Sequence, residues 1–171
     1  ECAPTRMNDE PCTQIIVRDA TPDKQVHNQQ LEDLLKYDEV TGLYSRRFFL
    51  ETLEIGHDGS ILYLLFADYS TLRHTMGFEA VEQFVREAAN LLKTLLSFED
   101  IAAHFASGVF TIYVPAKSPT DPKELAERIC QTIAGHTFQM LGKMFTTTCS
   151  IGIYKASAGD ETTVQILSQA D

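Results

Sequence analysis

Hydrophobic residues recur at helical spacing in several stretches of the chain. Ser45 is placed to cap a helix that continues through Leu53, and a further helix is predicted over 122–134. A helix over 22–37 carries a narrow apolar stripe, Val26, Leu31, Leu34 and Leu35. The longest predicted helix, over 78–96, has a broad apolar face of Val81, Phe84, Val85, Ala88, Leu91, Leu92 and Leu95.

Short apolar runs predict strands between these helices. One hairpin turns at Ser107-Gly108 and another near Leu141-Gly142, and a last helix is predicted from about Thr162. His104 lies inside the first hairpin and is predicted to be a core or edge histidine. This order of elements predicts an α/β (α+β) sandwich with a mixed sheet and excludes a doubly wound parallel sheet. The strand-forming ranges are 12–17, 61–67, 101–114 and 138–154.

Length and charge narrow the classes of function. The chain has 171 residues, 44% of them hydrophobic, which fits one main domain with an appendage. Its net charge of -10, without any basic run, would repel phosphate backbones, so we expect no nucleic-acid partner. The longest apolar run, 61–67, is strand-sized, and we expect no insertion into a membrane. Both ends look cut, as expected for a piece of a longer protein.

The four cysteines do not form a zinc-binding pattern. Cys2, Cys12, Cys130 and Cys149 contain no C-x-x-C pair and no histidines at ligand spacing. We expect reduced thiols in a cytoplasmic protein, with Cys130 and Cys149 as core residues, although four cysteines do not exclude a disulfide.

The stretch DEVTGLYSRRFFLETL resembles the opening signature of the GGDEF family, the diguanylate cyclases. That signature reads Asp-x-Leu-Thr-Gly-Leu-x-Asn-Arg-Arg-x-Phe, and Ser45 replaces its Asn with another helix-capping side chain. Three later stretches, ILYLLFADYSTL, FTTTCSIGIY and ILSQAD, follow in the family's order, so the resemblance covers 38–171. The matching signature residues are Asp38, Thr41, Gly42, Leu43, Arg46, Arg47 and Phe49.

The resemblance implies the nucleotidyl cyclase-like GGDEF fold, a central five-stranded mixed sheet flanked by helices. In active members two GTP-loaded domains meet face to face and form cyclic di-GMP. Each domain holds two divalent metals with an early Asp and an acid of the hairpin. The attack of a 3'-hydroxyl on an α-phosphate develops charge that carboxylate-held metals must organise.

Position by position, most of that site is missing from this chain. Asp68 matches the first metal-binding Asp, and Ser70 replaces the second. Only the Phe remains of the Gly-Gly-Asp-Glu-Phe signature, so we expect no catalytic residue, no cofactor and no metal site. Asp68 is the remaining candidate metal ligand, but we expect it to cap its own loop instead. The degenerate signature corresponds to Ala106, Ser107, Gly108, Val109 and Phe110.

The residues that would read guanine are also altered. The loop after Arg73 looks shortened and lacks the family's Asn, while Glu82 stands at the later Asp. Asp68, Arg73 and Glu82 are therefore the candidates for any residual nucleotide binding. For Glu82, however, we expect a solvated ion pair with Arg86, four positions along the helix.

The product-inhibition motif of the family, Arg-x-x-Asp, is incomplete. Asp100 matches its Asp, but Ser97 replaces its Arg, so a cyclic di-GMP phosphate loses its bidentate donor and we expect the inhibitory site to be lost. Arg46 and Arg47 are candidates to bind a phosphate. We expect instead that one of them forms an ion pair with Asp38 and fixes the turn of the opening signature.

The stretch EPCTQIIVRDAT resembles the last strand of a PAS sensor domain, which often ends in Arg-Asp-x-Thr. The order PAS, helix, degenerate GGDEF is similar to that of FimX-like proteins, in which an EAL domain follows and binds cyclic di-GMP without making it. We therefore assign residues 1–21 to the end of a PAS domain and 22–37 to a linker or signalling helix. Residues 38–171 are assigned to a degenerate GGDEF domain with a truncated C-terminus.

These assignments predict a non-catalytic module of bacterial cyclic di-GMP signalling that relays or scaffolds between PAS and EAL domains of the same chain. The 22–37 helix could join two copies as a homodimer. An alternative is an allosteric GTP-binding domain without turnover. An enzyme of another kind on this fold is a third possibility, but the sequence supplies neither a nucleophile nor a base pair for it.

Overall fold

The computed structural model describes residues 2–7, 10–15, 36–54 and 58–156. The chain divides into two compact units, Glu1–Asp33 and Leu34–Asp171. The first unit contains an antiparallel pair, β1 (Cys2–Met7) and β2 (Glu10–Ile15), in which Cys2 is opposite Ile15. The strand predicted over 12–17 thus begins two residues earlier, while Ile16 and Val17 lie outside the described residues.

The second unit is built on a five-stranded mixed sheet, as predicted. Its five strands are β3 (Tyr44–Ser45), β4 (Gly59–Phe66), β5 (Ile101–Ala106), β6 (Val109–Pro115) and β9 (Cys149–Ala156). The sheet order is β3-β5-β6-β4-β9, in which β3 pairs parallel with β5 and all other pairs are antiparallel. A separate two-stranded sheet, β7 (Phe138–Met140) with β8 (Lys143–Phe145), lies outside it.

Within the described residues, three helices cover the two faces of the sheet. They are α1 (Arg46–Glu54), α2 (Tyr69–Leu95) and α3 (Pro122–Gly135). Alternate residues of each strand face opposite clusters because side chains of a strand alternate in direction. Leu62 and Leu64 join the large cluster with α2 and α3, whereas Ile61 packs with Phe49 of α1. This arrangement is the predicted sandwich.

The longest helix begins earlier than the sequence predicted. Instead of 78–96, α2 covers Tyr69–Leu95 and is broken at Gly77, where φ is +80°. The polar residues before Gly77 predicted a loop, but Thr75 donates its hydroxyl hydrogen to the Thr71 carbonyl oxygen at 2.7 Å within the helix. The loop predicted after Arg73 is therefore helix up to the break.

The second predicted hairpin was wrong in its pairing. The turn at Leu141-Gly142 joins only the short strands β7 and β8. Strand β9, which was assigned to the same hairpin, pairs antiparallel with β4 from Gly59 opposite Ala156 to Phe66 opposite Cys149. Eight backbone pairs in the central sheet outweigh the three that β7 offers.

Two predicted helices cannot be compared with the structure. The helix over 22–37 lies outside the described residues except for Lys36 and Tyr37, and so does the helix predicted from Thr162. Within the part of the chain that is described, none of the helices combines the length and the apolarity needed to cross a bilayer.

Candidate functional site

The predicted hairpin of β5 and β6 is confirmed, and its turn is Ser107-Gly108. The pairing register shifts between His104 and Ala106, so a bulge precedes the turn. Gly108 has a φ of +74°, which a glycine adopts at no steric cost. The turn presents no carboxylate, thiol or amide side chain.

The ring of Tyr69 occupies the space above this turn. A Cβ atom on Gly108 would lie 2.4 Å from Cγ of Tyr69, far inside any real contact distance. Tyr69 is the first residue of α2 and is half-buried against the large apolar cluster. The third position of the signature therefore cannot carry a side chain while Tyr69 keeps its place.

The last two signature positions are part of the core. Val109 is 8% exposed and packs in the cluster that contains Phe49 and Phe105. Phe110 is fully buried, and its ring centroid is 5.9 Å from that of Phe66. An acid at position 109 in this conformation would be removed from water, which is costly for a charged carboxylate.

Asp68 lies between the end of β4 and the start of α2, and its side chain is exposed. It stands at the N-cap position but makes no side-chain cap hydrogen bond, so the prediction that it caps its own loop was wrong. Its Oδ2 instead accepts a hydrogen bond from the hydroxyl of Thr147, at 3.4 Å. Thr147 is 5% exposed and was not singled out in the sequence.

The candidate nucleotide-binding residues do not join into one network. Arg73 is exposed on the first part of α2, and Glu82 is half-buried beyond the break at Gly77. The predicted ion pair of Glu82 with Arg86 does not form among the described residues. Arg86 Nε donates instead to the carbonyl oxygen of Val40, at 3.3 Å, because the opening turn lies beside this helix.

Asp100 has become a structural residue. It is 9% exposed, and its carboxylate accepts hydrogen bonds from the Ser97 amide at 2.9 Å and the Ser118 hydroxyl at 3.0 Å. The Thr120 hydroxyl is a third donor, at 3.2 Å. The carboxylate that the family places in its product-binding motif is thus turned inward and ties two loops together.

Asp38 is the centre of the opening turn. Its Oδ1 accepts from the amide and the hydroxyl of Thr41, at 2.9 and 2.7 Å, and its Oδ2 lies 3.1 Å from Nδ1 of His104. Burial raises the pKa of Asp38, but the hydrogen bonds from Thr41 and the interaction with His104 lower it by more, so the pKa lies below its ordinary value. Arg47 does not pair with Asp38, because its Nε binds Glu51 at 2.7 Å.

His104 is the neighbour that sequence reasoning did not assign to Asp38. It lies on β5, 66 positions along the chain, and pairs in register with Ser45 of β3. As predicted, it is a largely buried strand histidine, with 18% of its side chain exposed. The parallel pairing of β3 with β5 brings the two side chains together, and no local pattern signals that contact.

The residues present do not fit a two-metal site. The hairpin turn offers no oxygen ligand from an acid, and Asp68 contributes a single carboxylate. Throughout the described ranges, His, Cys, Asp and Glu do not gather into any group of three that could hold a metal.

The sequence matches the family described as "Diguanylate cyclase, GGDEF domain" over residues 35–171. The chain belongs to the GGDEF family. It is 30% identical over 142 residues to diguanylate cyclase DgcP of Pseudomonas aeruginosa, covering 78% of this chain and 21% of that protein. The chain spans between 15% and 33% of the lengths of the first curated relatives it matches.

Solved structures show the same fold. The GGDEF domain of FimX from Pseudomonas aeruginosa superimposes with a TM-score of 0.69 at 21% identity, over 78% of this chain and 87% of that one. The S helix-GGDEF-EAL protein LapD of Vibrio cholerae gives a TM-score of 0.71 at 22% identity, over 89% of this chain and 37% of that one. The family match confirms the GGDEF domain predicted from the sequence, and these two structures confirm its predicted fold.

Proposed function

We propose that this GGDEF domain is non-catalytic and acts as a relay or scaffold in a cyclic di-GMP signalling protein. The proposal includes a PAS domain before the 22–37 helix and an EAL domain after residue 171. LapD is a protein of similar fold in which a GGDEF domain is joined to an S helix and an EAL domain, which supports the helix and the EAL part of the proposal.

The observation that carries the proposal is the hairpin turn beneath Tyr69. Phosphoryl transfer between two GTP molecules requires metals that organise the developing charge, and carboxylates must hold them. Gly108 and Val109 provide none, and the 2.4 Å approach of Tyr69 Cγ to a Cβ at 108 leaves no room for one. Asp68 alone, already hydrogen-bonded to Thr147, would have to hold both metals.

The product side of the domain supports the same proposal. Without an arginine at position 97, a cyclic di-GMP phosphate lacks a bidentate partner, and Asp100 is occupied by Ser97, Ser118 and Thr120. Inhibition by the product has no purpose in a domain that does not form it.

The opening turn supports a relay from the preceding helix. The turn over 38–43 directly follows the range 22–37, for which a helix is predicted, and three contacts attach the turn to the rest of the unit. Asp38 meets His104 of β5, Arg86 binds the Val40 carbonyl, and Lys93 Nζ binds the Thr41 carbonyl at 2.7 Å. A displacement at the helix end would therefore reach both β5 and α2.

Two measurements test the proposal. Purified protein with GTP and Mg²⁺ or Mn²⁺ should yield no cyclic di-GMP by mass spectrometry, with an active GGDEF protein as the positive control. Titration calorimetry with GTP and Mg²⁺ should give no heat up to high micromolar concentration. Product would refute the non-catalytic role, whereas heat without product would replace the relay by the allosteric GTP-binding domain.

A further inference from the structure

Two cysteines from different elements lie side by side near the Asp68 loop. Cys130 is on α3 and Cys149 begins β9, 19 positions later, and their sulfur atoms are 3.8 Å apart. The Cys130 thiol also points at the Cys149 carbonyl oxygen, at 3.7 Å. Both cysteines are free, and both residues are half-buried rather than fully enclosed in the core.

Two thiols in contact need only a small approach of their sulfur atoms to form a disulfide. The sulfur atoms of a disulfide are about 2.05 Å apart, so rotation of the two side chains must close the remaining distance. Cys130 lies on α3 and Cys149 on β9, and these two elements are in contact. No other cysteine of the second unit competes for either sulfur.

We propose that Cys130 and Cys149 are an oxidative modification site that forms a reversible intramolecular disulfide with peroxides. This assignment is independent of whether the domain turns over GTP. Disulfides that form in otherwise reduced proteins are usually transient and redox-sensing, and a pair held in contact by a folded core suits that use.

The chemistry proceeds in two steps. The Cys130 thiolate attacks one peroxide oxygen, an S–O bond forms and the O–O bond breaks, and the departing hydroxide takes up a proton as water. The sulfur of Cys149 then attacks the sulfenic sulfur of Cys130, an S–S bond forms, and the hydroxyl leaves as a second water with the Cys149 proton. Two thiols are oxidised by two electrons while one peroxide is reduced to two waters.

The order of these steps follows from the surroundings of the two thiols. Burial, with the neighbouring Cys130, raises the pKa of the Cys149 thiol to about 12, which keeps Cys149 protonated at neutral pH. Cys149 is therefore the resolving residue and Cys130 the one that meets the oxidant.

The position of the pair connects it to the candidate site. Cys149 is opposite Phe66 in the sheet, and the preceding Thr148 carbonyl accepts a hydrogen bond from the Ala67 amide at 3.0 Å. Asp68 follows directly. A covalent bond to Cys130 would attach α3 to the strand that supports the Asp68 loop.

Peptide mapping of the whole chain tests the assignment. The protein is treated with hydrogen peroxide, free thiols are blocked with N-ethylmaleimide, and trypsin is applied without reductant. Each cysteine falls in a different tryptic peptide, namely 1–6, 7–18, 129–143 and 144–155. We expect peptides 129–143 and 144–155 to be linked, with a mass lower by two hydrogen atoms, and to separate after dithiothreitol.

Two matched variants complete the test. Cys130→Ser and Cys149→Ser should each abolish the linked peptide, and Cys149→Ser should leave Cys130 as a sulfenic or sulfinic acid. Oxidation should raise the Tm of the parent protein but of neither variant. Thiols that stay free under peroxide, Cys130 over-oxidised in the parent protein without any linked peptide, or a link confined to Cys2 and Cys12 would overturn the assignment.

Discussion

The ring of Tyr69 lies against Gly108 so closely that a Cβ atom at position 108 would be 2.4 Å from Tyr69 Cγ. One residue begins the long helix and the other forms the hairpin turn, so the contact joins the two segments that face each other across the candidate site. Gly108 also has the positive φ that L side chains rarely adopt.

Replacing Gly108 by alanine should destabilise the protein through both effects. The backbone strain and the clash together should lower the free energy of unfolding by about 2–4 kcal/mol, measured by urea denaturation. Tyr69→Ala should relieve the clash, so the cost of Gly108→Ala should fall to about 1 kcal/mol in that background.

Gly142 provides the matched control. Its φ of +77° is close to that of Gly108, but nothing lies within 4 Å of the Cβ that would be added. Gly142→Ala should therefore cost about 1 kcal/mol, the backbone term alone. Equal losses at the two glycines would show that Tyr69 does not restrict position 108.

Restoring the signature acids should not restore catalysis. The double variant Gly108→Asp/Val109→Glu adds two carboxylates, but the Tyr69 ring occupies the space of the first, and the second site is 8% exposed. We expect no cyclic di-GMP by mass spectrometry and a lower Tm than the parent. Formation of cyclic di-GMP by this variant would show that the missing acids alone account for the lack of catalysis.

The turn at Asp38 should make stability depend on acid pH. Because the folded-state pKa of Asp38 lies below its ordinary value of 3.8, the stabilisation is complete above that pH and is lost as the pH falls through the lower, folded value. Asp38→Asn should cost about 1–3 kcal/mol at pH 7, and the difference from the parent should shrink below about pH 4.

Urea denaturation of both proteins over a series from pH 7 to pH 2.5 measures this effect. Curves that stay parallel throughout would show that the Asp38 carboxylate contributes no proton-linked stability. Arg47→Ala serves as a control, since its ion pair with Glu51 is exposed and should contribute little.

Asp100 should behave as a buried structural carboxylate. Asp100→Ala leaves the Ser97 amide and two hydroxyl groups without their acceptor, and should cost about 2–4 kcal/mol of unfolding free energy. Ser118→Ala removes one of the three donors and should cost about 1 kcal/mol. If Asp100→Ala left the free energy of unfolding unchanged, the hydrogen bonds of Asp100 would not stabilise the fold.

The elements that could be predicted from the local sequence are those in which hydrophobic residues recur at one spacing, that of a strand or of a helix, without interruption. The strand predicted over 61–67 agrees with the bounds of β4 to within two residues, because its alternate side chains face two separate apolar clusters. The helix over 122–134 was predicted within one residue, and Asp121 caps it through the amides of Lys123 and Glu124.

The failures have a common physical cause, since they depend on partners distant in the chain. The first turns of α2 are polar and look like a loop, yet Leu72 is 2% exposed in the core. The partner of β9 was assigned to the nearest strand, whereas β4 lies about 90 positions away and offers the longer ladder.

The candidate site divides in the same way. The absence of acids at 106–110 can be read directly from the sequence, because it concerns residue types alone. The contact of Tyr69 with Gly108, the Asp68–Thr147 bond and the Asp38–His104 pair each join residues more than 35 positions apart. Only the fold brings those pairs together.

The most direct test of the central claim is GTP turnover when dimer formation cannot limit the result. The domain from residue 34 onward, fused to a dimerising coiled coil, and the chain as it stands are incubated with GTP and Mg²⁺ or Mn²⁺. We predict cyclic di-GMP no higher than in a protein-free control for both proteins. Cyclic di-GMP that increases in proportion to protein concentration would contradict the non-catalytic role.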